Sequence, residues 1–169
     1  MHPSFHRIGT VSRLLVLGLM LALPGYSPPP PTVYYTLDGN DPNGLPPPAP
    51  QESLAILINN YRVSQGQPMV AVNTIVQEVA QEHTDYMAGI GQLTPIMNGM
   101  DFTQRLLMRG LPPGPSGTAG AYLARGYSDP QLLLDAMALQ NRVLLGNYTR
   151  LGVGMANPGT GNYWTVLFY

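Results

Sequence analysis

From position 54 onward, apolar residues recur at helical spacing. Leu54, Leu57, Ile58 and Tyr61 fall at i, i+3, i+4 and i+7, which predicts an amphipathic helix over 52–64, ended by a GQP turn. A second stripe, Ile75, Val76, Val79, Ala80, His83, Tyr86 and Met87, predicts a helix over 74–89. Asn73 is its N-cap, and Gly89 or Gly91 stops it. Asp101 with Gln104 three residues on has the pattern of a capping box, opening a third helix that closes at Gly110. Asp129-Pro130 puts a cap and then a proline at the first turn of a fourth helix, 130–140. TAGAYLARG (118–126), TRLGVGMA (149–156) and YWTVLFY (163–169) read as strands, and NPGTGN joins the last two as a hairpin. Helices first, one strand between and a hairpin last give an α+β fold, with about four helices around a small antiparallel sheet.

The first 51 residues do not share this pattern. Arg7 and Arg13 precede an apolar run, Leu14–Leu23, that Pro24 and Gly25 break. Basic flank, short apolar core and breaker are the order of a signal peptide, and the run is short for a bilayer span, which takes about 20 apolar residues. Residues 1–27 are therefore expected to be a signal peptide, cleaved near Gly25–Ser27, or an N-terminal anchor if uncleaved. Residues 28–51 are a linker: PPPP and PPPAP favour extended polyproline and build no core. Between them Val33–Leu37 reads as a short strand entering a turn. The string YYTLDGNDP resembles the signature of chitobiase-type and fibronectin-associated β modules, but the stretch is too short to form one. Asp38, Asn40, Asp41 and Asn43 lack the following Glu of a calcium loop and are ordinary turn chemistry. The domain is 52–169.

Composition narrows the function. The net charge is -1, with eight Arg and no Lys, which gives no electrostatic case for nucleic acid. Charged residues are 10% of the chain, so Asn, Gln, Thr, Tyr and Gly must cover much of the surface. The absence of cysteine excludes disulfides, thiolate metal sites and a Cys nucleophile.

Five strings, in order, resemble the CAP superfamily, or SCP-like extracellular domain: INNYRVSQGQP (58–68), VAQEHTDYMAGIGQL (79–93), GMDFTQRLLMRG (99–110), NRVLLGNYTRLGVGMA (141–156) and NYWTVLF (162–168). The resemblance implies a three-layer α-β-α sandwich, a secreted protein, and a central cleft where some members bind a divalent metal through two His and one or two Glu. Matched residue by residue, that set is vacated here. Pro95 stands for the first His, Ala121 for the Glu of a Gly-Glu-Asn string, and Asn141, before Arg142, for the second His; the Trp usually found upstream is also missing, with Asp135 near its place. Zinc takes three or four N, S or O donors, and these side chains offer at most one weak oxygen. His83, Pro95, Ala121, Tyr122, Asn141 and Arg142 are the candidate cleft-lining residues, with no metal or other cofactor expected.

His83 is the only histidine beyond the first six residues. It lies on the apolar stripe, whereas Glu82 and Asp85 fall on other helix faces, so the three are not expected to grip one ion. A partly buried His with one hydrogen-bond partner is the expectation. Gly114-Pro115-Ser116-Gly117 is not a nucleophile elbow, and no phosphate-binding Gly loop is present. Met97, Met100 and Met108 are expected as core filler rather than a groove, and Tyr34, Tyr35, Tyr163, Trp164 and Tyr169 as packing residues rather than a glycan platform. Asn147-Tyr148-Thr149 is a formal glycosylation sequon. The reading that results is a secreted, non-catalytic binding module for a lipid, glycan or protein, touching a membrane only through an uncleaved N-terminus. The alternatives are a hydrolase around His83 with Glu78 or Glu82, and a structural envelope protein.

Overall fold

The structure is a computed structural model and describes residues 47–140 and 142–169. The segment assigned to leader and most of the linker, with its short strand and turn, lies outside the described residues. Four helices, α1 (Pro50–Ser64), α2 (Thr74–Ile90), α3 (Phe102–Met108) and α4 (Pro130–Gln140), accompany four strands, β1 (Ala71–Val72), β2 (Gly120–Arg125), β3 (Arg150–Ala156) and β4 (Tyr163–Phe168). Among the described residues, no helix is long and apolar enough to cross a membrane.

Local chemistry sets the helix ends. Asn73 Oδ1 accepts from the Ile75 and Val76 amides at 3.1 and 3.2 Å. Gly91, at φ 70°, closes α2 by donating its amide to the Met87 carbonyl. The Asp101–Gln104 capping box is complete in both directions, at 2.8 and 3.0 Å. Pro50, assigned to the linker in sequence, is the first residue of α1, where its missing N–H costs nothing.

The sheet order is β1-β3-β4-β2. The pairs β2–β4 and β3–β4 are antiparallel, as expected, but β1 pairs parallel with β3 through Ala71–Arg150 and Val72–Leu151. The sheet is therefore mixed rather than antiparallel. Two residues leave no periodicity to read, and β1 is held from outside its own sequence. Asn59 of α1 donates Nδ2 to the Val70 carbonyl at 3.0 Å and accepts the Val70 amide at 2.9 Å, behaving like a strand neighbour. Buried Arg62 donates Nε to the Pro68 carbonyl at 2.9 Å and Nη1 to the Gly146 carbonyl at 3.1 Å.

Alternation along the strands divides the core. Trp164, Val166 and Phe168 of β4 pack with α1 and α4 through Leu54, Ile58, Leu133 and Met137. Leu167 and Tyr169 point the other way, to α2 and α3 through Val76, Val79, Phe102 and Leu106. Helix α2 lies directly on β3, because Gly152 and Gly154 present no side chain to it: a Cβ at Gly152 would come 2.4 Å from the Val76 carbonyl carbon. Gln77 and Gln81, one turn apart on α2, each hydrogen-bond both the amide and the carbonyl of one β3 residue, Val153 and Met155 respectively.

Candidate functional site

His83 sits fully buried on the inner face of α2, its ring 4.4 Å from that of Phe102. Both ring nitrogens are engaged. The Thr94 carbonyl lies 2.6 Å from Nε2, and the Arg105 guanidinium Nη1 lies 3.0 Å from Nδ1. A carbonyl only accepts and a guanidinium only donates. The ring is therefore the neutral tautomer that carries its proton on Nε2 and gives it to Thr94. Burial pushes the His83 pKa down; the Thr94 bond opposes this and the positive charge of Arg105 adds to it. Sequence predicted a partly buried His with one partner; the structure buries the ring fully and gives it two.

Arg105 links this histidine to an ion-pair chain. Its Nη2 lies 3.1 Å from Glu82 Oε2. Arg109 contacts Glu82 Oε1 and lies 3.0 Å from Glu78 Oε2. Burial lowers the Arg105 pKa, with Glu82 opposing. Glu82 and His83 leave α2 on different faces, yet both reach the Arg105 guanidinium, because that long side chain spans the turn between them. Asp85 takes no part and accepts from Gln81 at 2.9 Å. The signal for the chain was present in sequence: Glu78/Glu82 and Arg105/Arg109 are each an i, i+4 pair, of opposite sign, on consecutive helices.

Beside the ion pairs is a surface concavity of about 300 Å³, lined by Glu82, Arg105, Arg109, Asn98, Met97, Met100 and Met108. Met97, Met100 and Met108 are thus wall residues and not the core filler expected, and Met108 is 74% exposed. The cause is a two-residue turn at Asn98-Gly99. Both residues have positive φ, 53° and 77°, as a type I′ turn demands, and Met97 and Met100 exchange two backbone hydrogen bonds of 3.1 Å.

The sheet separates the two predicted cleft residues that lie on β2. Pro95 is exposed in the loop after α2, adjoining Thr94, which holds His83. Ala121 and Tyr122 are neighbours on β2 and face opposite sides of the sheet, Ala121 toward the α2–α3 core and Tyr122 toward the α1–α4 core. Burial raises the Tyr122 pKa. Arg142 is exposed, and Asn141 lies outside the described residues. Of the five that are described, none lines the methionine concavity, nor two others, one of about 400 Å³ at Ser53, Leu57 and Asp129 and one of about 240 Å³ at Glu52, Val72 and Gln77. Among the described residues, no group of three or more His, Asp or Glu side chains is placed to hold a metal ion.

The model of CAP, the cysteine-rich secretory protein family, matches residues 56–168. The chain belongs to the CAP family. Among solved structures, this CAP domain is similar to an outer surface protein from Borrelia burgdorferi, with TM-score 0.62, 16% identity and coverage of 69% of this chain and 89% of that one. It is also similar to an extracellular protein containing a SCP domain from Bacillus anthracis, with TM-score 0.59, 22% identity and coverage of 70% and 39%. A cysteine-rich secretory protein from Staphylococcus aureus gives TM-score 0.57, 15% identity and coverage of 70% and 37%. The chain spans about two fifths of the length of the last two. At these identities the likeness is one of fold. No curated protein matches the sequence.

Proposed function

We propose that the chain is an extracellular CAP-domain binding module without catalytic activity, built on the α-β-α sandwich of its family. The observation that carries this reading is the state of His83. A general base needs a free nitrogen lone pair within reach of substrate. His83 is buried, its Nδ1 lone pair faces Arg105, and its Nε2 proton is given to Thr94. It is built as a strut between α2, the 94–95 loop and α3. With Pro95 and Ala121 at two of the family's ligand positions, the central cleft has lost donors for zinc. The ligand class is lipid, glycan or protein. The basic-apolar N-terminus supports export, with residues 28–51 as a spacer, as does the likeness to an outer surface protein from Borrelia and an extracellular protein from Bacillus.

Native mass spectrometry of the exported protein, with and without zinc, tests the reading. The expected spectrum shows a mature start near residue 28, no stoichiometric zinc adduct, and a co-purifying lipid or glycan or a captured protein. Stoichiometric zinc, or hydrolysis of peptide, ester or glycan substrates that His83→Gln abolishes, would overturn it in favour of a hydrolase.

A further inference from the structure

The concavity beside α3 is lined by three methionines in a protein that has no thiol. Met97 and Met100 are the two ends of the Asn98-Gly99 turn. Residues paired in this way stand directly opposite and send their side chains to one face. Their relative placement is set by the turn before any ligand arrives. Met108, the last residue of α3, lines the same concavity. The remaining wall is Asn98 and the ion pairs.

We infer that Met97, Met100 and Met108 form a site for a soft monovalent metal ion, Cu(I), for which Ag(I) is a surrogate. This goes beyond the binding-module reading and uses none of the vacated cleft positions. Ligand softness decides the metal. Thioether sulfur is a poor donor to Zn, Mg or Ca and a good one to Cu(I). The carboxylate oxygens that would suit a harder ion are already engaged: Glu82 accepts from Arg105 with one oxygen and from Arg109 with the other. Charge also permits a cation. Arg105 and Arg109 each face a carboxylate, so an entering monovalent ion meets neutralised pairs rather than two bare guanidinium groups. Met has three rotatable bonds and adapts its sulfur position cheaply.

The test uses tag-free full-length protein, kept anaerobic, competing with bicinchoninate for Cu(I), with the loss of the coloured chelator complex as readout. Because His2 and His6 are alternative copper ligands in the N-terminal segment, the background carries His2→Gln and His6→Gln. The expected result is one equivalent of Cu(I) withdrawn. Each of Met97→Leu, Met100→Leu and Met108→Leu should weaken binding by at least about tenfold, the low end of what even outer-shell partners of metal ligands contribute. Met69→Leu, at an exposed methionine outside the concavity, should leave binding unchanged. Zinc should not compete. No withdrawal of Cu(I), or withdrawal that survives the triple leucine variant, overturns the site. The exposure of Met108 makes its single variant safe for folding, so that arm remains decisive if the triple variant misfolds.

Discussion

Gly154 rests against the main chain of Ala80: a Cβ built at Gly154 would lie 2.4 Å from the Ala80 carbonyl oxygen and 2.5 Å from Thr84 Oγ1. The first obstacle is helix backbone, which cannot rotate away. Gly154→Ala must therefore lever α2 off the sheet, and it should cost roughly 3 kcal/mol, the upper range for overpacking a core. Gly89, on the same helix, has open space around it. Gly89→Ala should stabilise by up to about 1 kcal/mol through helix propensity. Urea unfolding followed by Trp164, the only tryptophan and fully buried, would read both signs.

His83 makes stability depend on pH in a defined direction. Its folded pKa lies below the unfolded value of about 6.5. Below that value the unfolded chain binds a proton that the folded chain refuses. The contribution is thus complete above about pH 6.5 and is lost on acidification, with a limiting slope of about 1.4 kcal/mol per pH unit. His83→Gln keeps an acceptor for Arg105 and a donor for Thr94 but has nothing to titrate. The variant should be less stable at neutral pH, since it loses the Phe102 contact, while its stability changes less between pH 7 and 5. Equal slopes in the two proteins would contradict the buried neutral ring.

The two carboxylates of the ion-pair chain should differ. Arg105 is 7% exposed, so Glu82→Gln leaves a nearly buried guanidinium without its anion. Glu82 itself is half in solvent, which discounts the effect to about 1–2 kcal/mol. Glu78→Gln removes only an exposed partner of Arg109 and should cost less than about 0.5 kcal/mol. Chemical denaturation in low and high salt checks the pair, and only the Glu78 effect should vanish in salt.

Gln77 and Gln81 should be visible in hydrogen exchange. Val153 donates its amide to Gln77 Oε1 at 2.8 Å, and Met155 donates to Gln81 Oε1 at 3.1 Å. Gln77→Ala should release the Val153 amide, Gln81→Ala the Met155 amide, each with little effect on the other. Leaving a partly buried amide and carbonyl unpaired should also cost about 1–3 kcal/mol in each variant.

Much of the fold was legible because its helices announce their ends. Asn73, Asp101 and Asp129-Pro130 fixed three helix starts within a residue, and Gly-Val-Gly marked the strand that α2 lies on. What escaped was non-local or too short. A two-residue β1 has no period, and its identity depends on Asn59, whose role needs tertiary contact. The His83–Arg105 bond joins residues 22 apart. The methionine wall was misread although Asn98-Gly99 is a strong turn signal, because whether these residues line a wall or fill a core depends on how the turn docks beside α3, a contact outside the local sequence. Period-two alternation sends Ala121 and Tyr122 to opposite faces of the sheet, and that much is legible in the sequence.

The glutamines of α2 have a consequence for the life of this chain in a crowded compartment. A sheet that stops at an open strand offers its free amides and carbonyls to any passing chain, and that invitation is how edge-to-edge aggregation begins. On β3 the offer is withdrawn: β1 covers Arg150 and Leu151, and two side-chain amides cover Val153 and Met155. A helix thus plugs the stretch of β3 that β1 leaves uncovered with imitation peptide groups, and that stretch gives a growing fibril little to copy.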